Sequence, residues 1–298
     1  MKRKLGIGDV IFNILNYSFF AIFALICIFP FYYILINSLS NNELVSQGRI
    51  MFLPNGIHFN NYVQVLKIKG LWSAVYISVL RTVVGTIFSI VSSSFLGYAL
   101  SKEEYWKRKF WYKFIIITMY FNAGIIPWYL NMKTLGLTNN FLGYVLPALV
   151  APFNVILVKT YIESISASME ESAEIDGASY LSRFIHIIFP LAKPIIATIA
   201  VFSAVGQWNS FTDTLMLVTD KSLFTLQYLL YQYLNEANAL ADAIRRNPAF
   251  AGVAASHQLT AISIKFTVSI VTVIPILLVY PFFQRYFQKG IMIGAVKG

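Results

Sequence analysis

The sequence predicts an all-α integral membrane protein with six transmembrane helices, from its composition and from the lengths of its apolar runs. Of the 298 residues, 57% are hydrophobic and 12% are charged, whereas soluble domains carry roughly 45–50% apolar and about 25% charged residues. Six apolar runs each approach the ~20 residues that a spanning helix needs, whereas strands of a membrane barrel alternate over about 10 residues. This pattern excludes an ordinary soluble enzyme, a disordered chain and a nucleic-acid-binding tail.

The apolar runs define the predicted elements in chain order. They cover residues 17–39, 72–101, 114–130, 141–161, 191–218 and 262–283. The first run is too long for the apolar region of a cleaved signal peptide, and no small-residue cleavage pattern follows it, so we expect it to remain as an anchor. Two further segments predict surface helices, at 60–66 and, with apolar residues at helical spacing, at 223–234.

The net charge of +10 is distributed as the orientation of a membrane protein requires. With the N-terminus inside, Lys and Arg in the inner segments outnumber those in the outer segments by about two to one. Because basic residues concentrate in cytoplasmic loops, both termini are predicted to be cytoplasmic, which agrees with six spans.

The segment between the fourth and fifth runs carries an acidic helix that this topology places inside. Ser168 and Glu171 have the spacing of a capping box, and Glu170 and Glu174 also fall in the first turns, where the helix dipole favours negative charge. Gly177 is suited to end the helix in a left-handed conformation. The simpler interpretation of this pattern is a connector with a solvated acidic face.

The spacing of this segment resembles the EAA loop of permease subunits of ATP-binding-cassette (ABC) importers. Glu171-Ser172-Ala173, then Gly177, then Ile187-Ile188-Phe189-Pro190 keep the family spacing, with Ser172 and Phe189 as mild departures. Further segments are similar to the maltose-type, binding-protein-dependent (MetI-like) carbohydrate permeases, closest to the branch for complex or oligomeric saccharides. These are Tyr98-Ala99-Leu100-Ser101, Gly124-Ile125-Ile126-Pro127, Leu135-Gly136-Leu137, Tyr280-Pro281-Phe282 and residues 289–298.

The resemblance implies a fold and a set of partners in a bacterial plasma (inner) membrane. The fold is the type I importer permease, with an extra helix and outer loop over residues 1–70. A five-helix core follows over 71–298, with its EAA loop at about 163–190 and a C-terminal tail. The implied partners are a second permease subunit, usually a different chain, two ABC ATPase subunits, an external solute-binding protein, a saccharide substrate and membrane lipid, with no nucleic acid.

The resemblance also implies that the EAA loop helix fits a groove on the ATPase and transmits its closure to the spans. The residues expected to couple the two proteins are Glu170, Glu171, Ser172, Ala173, Glu174, Asp176, Gly177, Ala178 and Pro190. The Gly-bearing tail is either a flexible end or, by similarity, an insertion at the ATPase dimer interface. The chain has no Gly-x-x-x-x-Gly-Lys-[Ser/Thr] phosphate loop, so we expect the ATPase to be another chain and this subunit not to be an enzyme.

Polar residues within the runs are candidates for the substrate path. They are Gln207, Trp208 and Asn209 in the fifth run, Asn122 in the third and Asn154 in the fourth. An indole face can stack on a sugar ring and amides can bond hydroxyl groups, but the alternative is hydrogen bonding between helices. Arg81, near the outer end of the second run, is either a snorkelling anchor or part of this path.

No catalytic, cofactor or metal site is predicted. His58, His186 and His257 are scattered, the single Cys27 has no ligand-spaced neighbours, and the acidic residues form no catalytic pair. An ABC permease for a peptide or amino acid is the nearest alternative function. An ion-coupled secondary transporter is less favoured, since it needs ionisable residues at mid-membrane and usually an inverted repeat.

Overall fold

The computed structural model describes residues 6–246, 262, 264–279 and 281, and every regular element within them is a helix. The α-helices are α1 Ile7–Leu39, α2 Asn42–Ser46, α3 Asn60–Leu66, α4 Leu71–Ser101, α5 Arg108–Tyr120, α6 Ile125–Thr134, α7 Leu142–Val145, α8 Pro152–Ile162, α9 Ser168–Ile175, α10 Tyr180–Arg183, α11 Phe189–Leu191, α12 Lys193–Asn209, α13 Thr212–Leu217, α14 Leu226–Arg246 and α15 Ile264–Val279. Two 3-10 turns, Leu146–Ala148 and Lys221–Leu223, and a π-helical segment, Phe184–Ile188, complete the chain order. The predicted all-α class is confirmed.

Several predictions fall on residues that the model does not describe. The basic residues Lys2, Arg3 and Lys4, the tail at 289–298, the flanks of the Tyr280-Pro281-Phe282 motif and His257 lie outside the described residues.

Among the described residues, two helices, α1 and α4, are long and apolar enough to cross a bilayer alone. α4 fills the second predicted run, whereas α1 begins at Ile7, well before the predicted start of the first run. The third, fourth and fifth runs are bent, by 117° between α5 and α6, by 46° before α8 and by 81° before α12. If each bent pair is one span, the described residues hold up to 5 spans, and the count of six stays a prediction.

The bends have local causes that a hydropathy profile does not reveal. Between α5 and α6, Gly124 adopts a φ of 88° and donates its amide to the side chain of Asn122 at 2.9 Å, a local turn that takes the chain out of the helix. α8 begins at Pro152, and Pro194 stands in the first turn of α12. A proline is tolerated at such a start because it has no amide to donate to a preceding turn.

The chain divides into two compact units, Met1–Ile68 with Gln232–Val273, and Lys69–Tyr231 with Ile274–Gly298. In the first unit the predicted surface helix at 60–66 is confirmed as α3, whose Asn61 donates to the carbonyl oxygen of Ser38 at 3.1 Å. Most of α1 is exposed, with 6% of its most apolar window buried. The predicted amphipathic helix at 223–234 is confirmed as α14, which extends to Arg246.

In the second unit, α4 packs closely against α8 and α12 through two glycines. A Cβ atom on Gly85 would lie 2.6 Å from Nε2 of Gln207, and one on Gly97 would lie 2.8 Å from Cγ1 of Val158. Buried apolar side chains form one cluster near the start of α4, around Ile77, and another near its end, around Tyr98. α4 therefore lies at the centre of this unit.

Candidate coupling helix and intramembrane cavity

The short helix α9 has the acidic start that the sequence predicts, but it is not capped as predicted. It begins at Ser168, so that Ala167 holds the capping position and makes no side-chain bond to the helix. Ser168 Oγ instead shares a hydrogen bond with Ser166 Oγ at 2.8 Å. The capping-box prediction is wrong because Ser168 already has helical geometry and its hydroxyl bonds another side chain.

The other end of α9 closes as predicted. Gly177 has a φ of 79°, in the left-handed region that favours glycine. The backbone amide of Gly177 donates to the carbonyl oxygen of Glu174 at 2.9 Å. The backbone amide of Ala178 donates to the carbonyl oxygen of Ala173, also at 2.9 Å. These two bonds form a Schellman motif. A Cβ atom on Gly177 would meet none of the residues that the structure describes within 4 Å.

Glu170 faces the interior of the unit rather than solvent. It is 8% exposed, its carboxylate accepts a hydrogen bond from the hydroxyl of Tyr98 at 2.7 Å, and it forms an ion pair with Lys102. The guanidinium of Arg183 lies 3.9 Å away. Glu170 thus joins α9 to the C-terminal end of α4.

Arg183 completes this cluster from α10. It is 4% exposed, it pairs with Glu174 at 2.7 Å, and its guanidinium lies 4.2 Å from the ring centre of Tyr180. Burial lowers the pKa of Arg183, but the hydrogen bond and charge of Glu174 outweigh it and the pKa is raised. Because Glu170 and Glu174 are four residues apart on one helix, both reach the same side of α9.

The remaining side of α9 is exposed. Ile175 is 87% exposed and Met169 is 51% exposed, and Glu171, Ser172 and Asp176 are exposed beside them. Ala173 and Ala178 are half-buried, and Pro190 is exposed after the π-helical segment. Exposed large apolar side chains on a short helix are candidates for contact with a partner protein. The predicted coupling residues thus separate into an outward set, which includes Glu171, Ser172 and Asp176, and the buried Glu170. Glu174 lies between them, since its carboxylate is 60% exposed while it pairs with Arg183.

A second ionic group ties the neighbouring helix ends together. Lys159 at the end of α8 pairs with Glu163 at 2.7 Å, and Glu163 also pairs with Arg108 at the start of α5. Arg108 donates from Nε to the carbonyl oxygen of Leu100 in α4 at 2.8 Å. The ends of α4, α5 and α8 are therefore held beside α9.

Arg81 in α4 is buried rather than snorkelling, at 2% exposed. Its guanidinium binds both carboxylate oxygens of Asp213, at 2.5 and 3.1 Å, and the side-chain oxygen of Gln207, at 2.9 and 3.1 Å. The ring of Tyr144 lies 4.5 Å from the guanidinium carbon. The snorkelling interpretation is wrong because a paired acid and an amide satisfy the cation inside the protein.

Sequence reasoning missed Asp213, although a signal was present. A cation within an apolar run needs an anionic partner, and Asp213 is the single acidic residue of the predicted fifth run. The run breaks at Ser210, so that Asp213 stands in the first turn of the separate helix α13.

Arg81 and Asp213 line a cavity of about 500 Å³ within the second unit. Two of the candidate path residues meet there, since Gln207 and Asn154 both line it. Asn154 donates to Ser203 Oγ at 3.2 Å, and this hydroxyl is also 3.0 Å from that of Ser89. The aromatic residues Trp128, Tyr144 and Phe202 also line the cavity. The cavity therefore offers hydroxyl and amide groups together with ring faces.

The other three candidate path residues lie elsewhere. Trp208 lines an apolar cleft of about 310 Å³, whose wall includes Val79 of α4 and Pro275 of α15. Asn209 accepts a hydrogen bond from Gln227 of α14 at 3.0 Å, and Asn122 holds the turn before α6. Neighbouring positions on a helix face different directions, which is why Gln207 and Trp208 separate.

Within the described part of the chain, no group of three His, Cys, Asp or Glu residues is placed to hold a metal ion.

Comparison with known proteins gives consistent results over the whole chain. The family model of the binding-protein-dependent transport system inner membrane component matches residues 3–293. The chain is 34% identical over 298 residues to the polygalacturonan/rhamnogalacturonan transport system permease protein YtcP of Bacillus subtilis (strain 168), covering 100% of both chains. It is 28% identical over 284 residues to the arabinooligosaccharides transport system permease protein AraQ of Halalkalibacterium halodurans, covering 94% of both.

A solved structure resembles the fold closely. One chain of a bacterial ABC transporter involved in the import of the acidic polysaccharide alginate is similar with a TM-score of 0.82 and 35% identity. The similarity covers 96% of this chain and 100% of that chain.

Proposed function

Because the chain belongs to the family of binding-protein-dependent transport system inner membrane components, we propose that it is the translocating subunit of an ABC importer for saccharides. The observation that carries this proposal is α9, a helix that exposes Met169, Glu171 and Ile175 while its buried Glu170 is bonded to Tyr98 and Lys102 at the end of α4. A helix held in this way can be displaced by a partner protein and can transmit the displacement to α4. A plain connector needs neither the bonds of Glu170 nor the exposed apolar side chains.

The proposed partner of α9 is an ABC ATPase, one of two that serve a pair of permeases. Its contact would be made by the outward set, with Glu171 near the positive end of the α9 dipole and small Ser172 allowing close approach. Asp176, Gly177 and Ala178 form the end of this surface. We further propose a second, different permease subunit and an external solute-binding protein, with ATP hydrolysis confined to the ATPase.

For the membrane arrangement, we propose that both termini are cytoplasmic and that residues 71–298 form the permease core, with residues 1–70 as an added anchor. The asymmetry of Lys and Arg supports this orientation. It places α9 and the Glu170 cluster on the side where ATP is available.

The proposed substrate path passes the cavity beside Arg81. Its amides at Asn154 and Gln207, its hydroxyl groups and its aromatic rings match the chemistry of saccharides, whose hydroxyl groups need partners and whose ring faces stack on aromatic side chains. Trp208, Asn209 and Asn122 line other surfaces and stay secondary candidates.

For the identity of the saccharide, we propose oligosaccharides that contain uronic acids. The relative YtcP is named for polygalacturonan and rhamnogalacturonan transport, and the alginate importer is named for an acidic polysaccharide. Both are more than 30% identical to this chain.

The test is ATP hydrolysis by the purified complex with its binding protein, across a panel of saccharides and peptides. We expect oligogalacturonides or alginate oligomers to stimulate hydrolysis more than neutral oligosaccharides of equal length. Stimulation by neutral saccharides alone would overturn the uronic-acid proposal. Stimulation by peptides or amino acids, without any saccharide, would overturn the sugar function and favour the alternative importer.

A further inference from the structure

The helix α4 joins the coupling helix to the cavity without a break. It contains 31 residues, and it carries Tyr98 near one end and Arg81 in its first half. These two positions are about 25 Å apart along the helix axis, at 1.5 Å per residue. The C-terminal end of α4 is fixed to α9 through Glu170, and Arg81 in its first half is bonded to Asp213 and Gln207 at the cavity.

The covalent route from α9 to the cavity is less direct. After α10 the chain passes through the π-helical segment Phe184–Ile188 and an 81° bend before it enters α12. Bends and π-helical turns are places where a helix yields. A displacement of α9 is therefore transmitted with less loss through the bonds between Glu170 and α4 than it is along the backbone to α12.

We infer that Glu170 is a positioning residue that ties the movement of α9 to α4, and that α4 carries this movement to the Arg81 end of the cavity. Tyr98 and Lys102 are the receiving groups on α4, and Arg183 holds Glu174 so that α9 keeps its orientation toward them. This inference rests on the proposed function, because it assigns an internal transmission path to the ATPase-driven step. It also divides the acidic residues of α9 into Glu171, which faces outward, and Glu170, which faces the spans.

The experiment uses the full complex in lipid, with a cavity reporter in the subunit. Gly206→Cys on a Cys27→Ser background is a suitable reporter, because Gly206 lines the cavity and a Cβ atom there meets none of the described residues within 4 Å. The rate of its reaction with a thiol reagent is measured with and without ATP and vanadate. The variants are Glu170→Gln, which removes the charge, and Tyr98→Phe, which removes one hydroxyl group. Tyr105→Phe, at an exposed tyrosine after α4, is the matched control.

We expect normal co-purification of the ATPase and normal basal hydrolysis for Glu170→Gln and Tyr98→Phe. The ATP-dependent change in reporter reactivity, and the stimulation of hydrolysis by the loaded binding protein, should fall about fivefold or more in Glu170→Gln. Tyr98→Phe should show a smaller loss and Tyr105→Phe none. A merely structural role would lower co-purification or protein yield together with both responses in Tyr98→Phe as well as in Glu170→Gln, and would overturn the inference.

The experiment distinguishes a failure of the proposed function from a failure of the inference about Glu170 and α4. If the unmodified complex binds no ATPase, the proposed function and this inference fall together. If the unmodified complex shows an ATP-dependent reporter change and Glu170→Gln and Tyr98→Phe show the same change, the inference is overturned and the proposed function stands. If Glu170→Gln does not assemble, Tyr98→Phe alone decides, because the loss of one hydroxyl leaves the ion pair in place.

Discussion

At the scale of single residues, the buried pair of Arg81 and Asp213 gives a stability prediction. Removing one partner of a buried pair leaves an uncompensated charge and typically costs about 3–5 kcal/mol, whereas replacing both partners is often nearly neutral. We expect Arg81→Gln to lower the unfolding temperature and the yield of the purified complex strongly. The double variant Arg81→Gln, Asp213→Asn should recover most of both, as measured by thermal unfolding in detergent. A double variant as unstable as the single one would contradict the pairing.

Gly177 gives a second prediction at this scale. Its φ of 79° costs a residue with a side chain about 1–2 kcal/mol, and more if the side chain is β-branched. We expect Gly177→Val to reach the membrane at normal levels but to co-purify with less ATPase, or to leave hydrolysis unresponsive to loaded binding protein. Because a Cβ atom there meets none of the described residues within 4 Å, Gly177→Ala, which carries the smaller backbone strain, should lose less ATPase than Gly177→Val. Full binding with full stimulation in Gly177→Val would remove this turn from the mechanism.

At the scale of elements, the exposed side of α9 predicts the ATPase contact. The side chain of Ile175 is exposed and contacts little of its own chain, so Ile175→Asp should leave the fold intact. It should reduce co-purification of the ATPase by about tenfold or more, as the loss of a buried interface anchor does. Trp106→Asp, at a 66% exposed position in the loop after α4, is a control for a new charge elsewhere. Equal binding by Ile175→Asp and the unmodified subunit would exclude this side of α9 as the contact.

The elements that the sequence predicts well are those with one dominant signal. α3 and α4 have nearly the predicted bounds, because turn residues or long apolar continuity define them. The break after Tyr120 was not predictable from hydropathy, because it depends on the turn made by Asn122 and Gly124.

The candidate site, like the helices, was predictable from the sequence only in part. The spacing of Glu171 and Gly177 identifies the coupling segment, but spacing alone does not tell which of two adjacent acids faces inward. That choice depends on Tyr98 and Lys102, which lie about 70 residues earlier in the chain.

At the scale of the whole molecule, the orientation of the chain is testable by cysteine labelling. Single cysteines at Lys107, Asn55 and Asn238, on a Cys27→Ser background, are probed in intact cells with an impermeant thiol reagent. Because basic residues favour the cytoplasm, we expect labelling at Asn55 and Asn238 and none at Lys107 until the cells are permeabilised. Labelling at Lys107 but not at Asn55 would invert the proposed topology and would separate α9 from its ATP-driven partner.

The length of α1 has a consequence for the lipid around the protein. Its 33 residues extend about 50 Å at 1.5 Å per residue, whereas the hydrocarbon core of a bilayer is about 30 Å thick. The helix must therefore tilt or let several turns emerge into the headgroup region. The hydrocarbon thickness of the surrounding membrane therefore determines how far α1 tilts and how many of its turns lie outside the bilayer core.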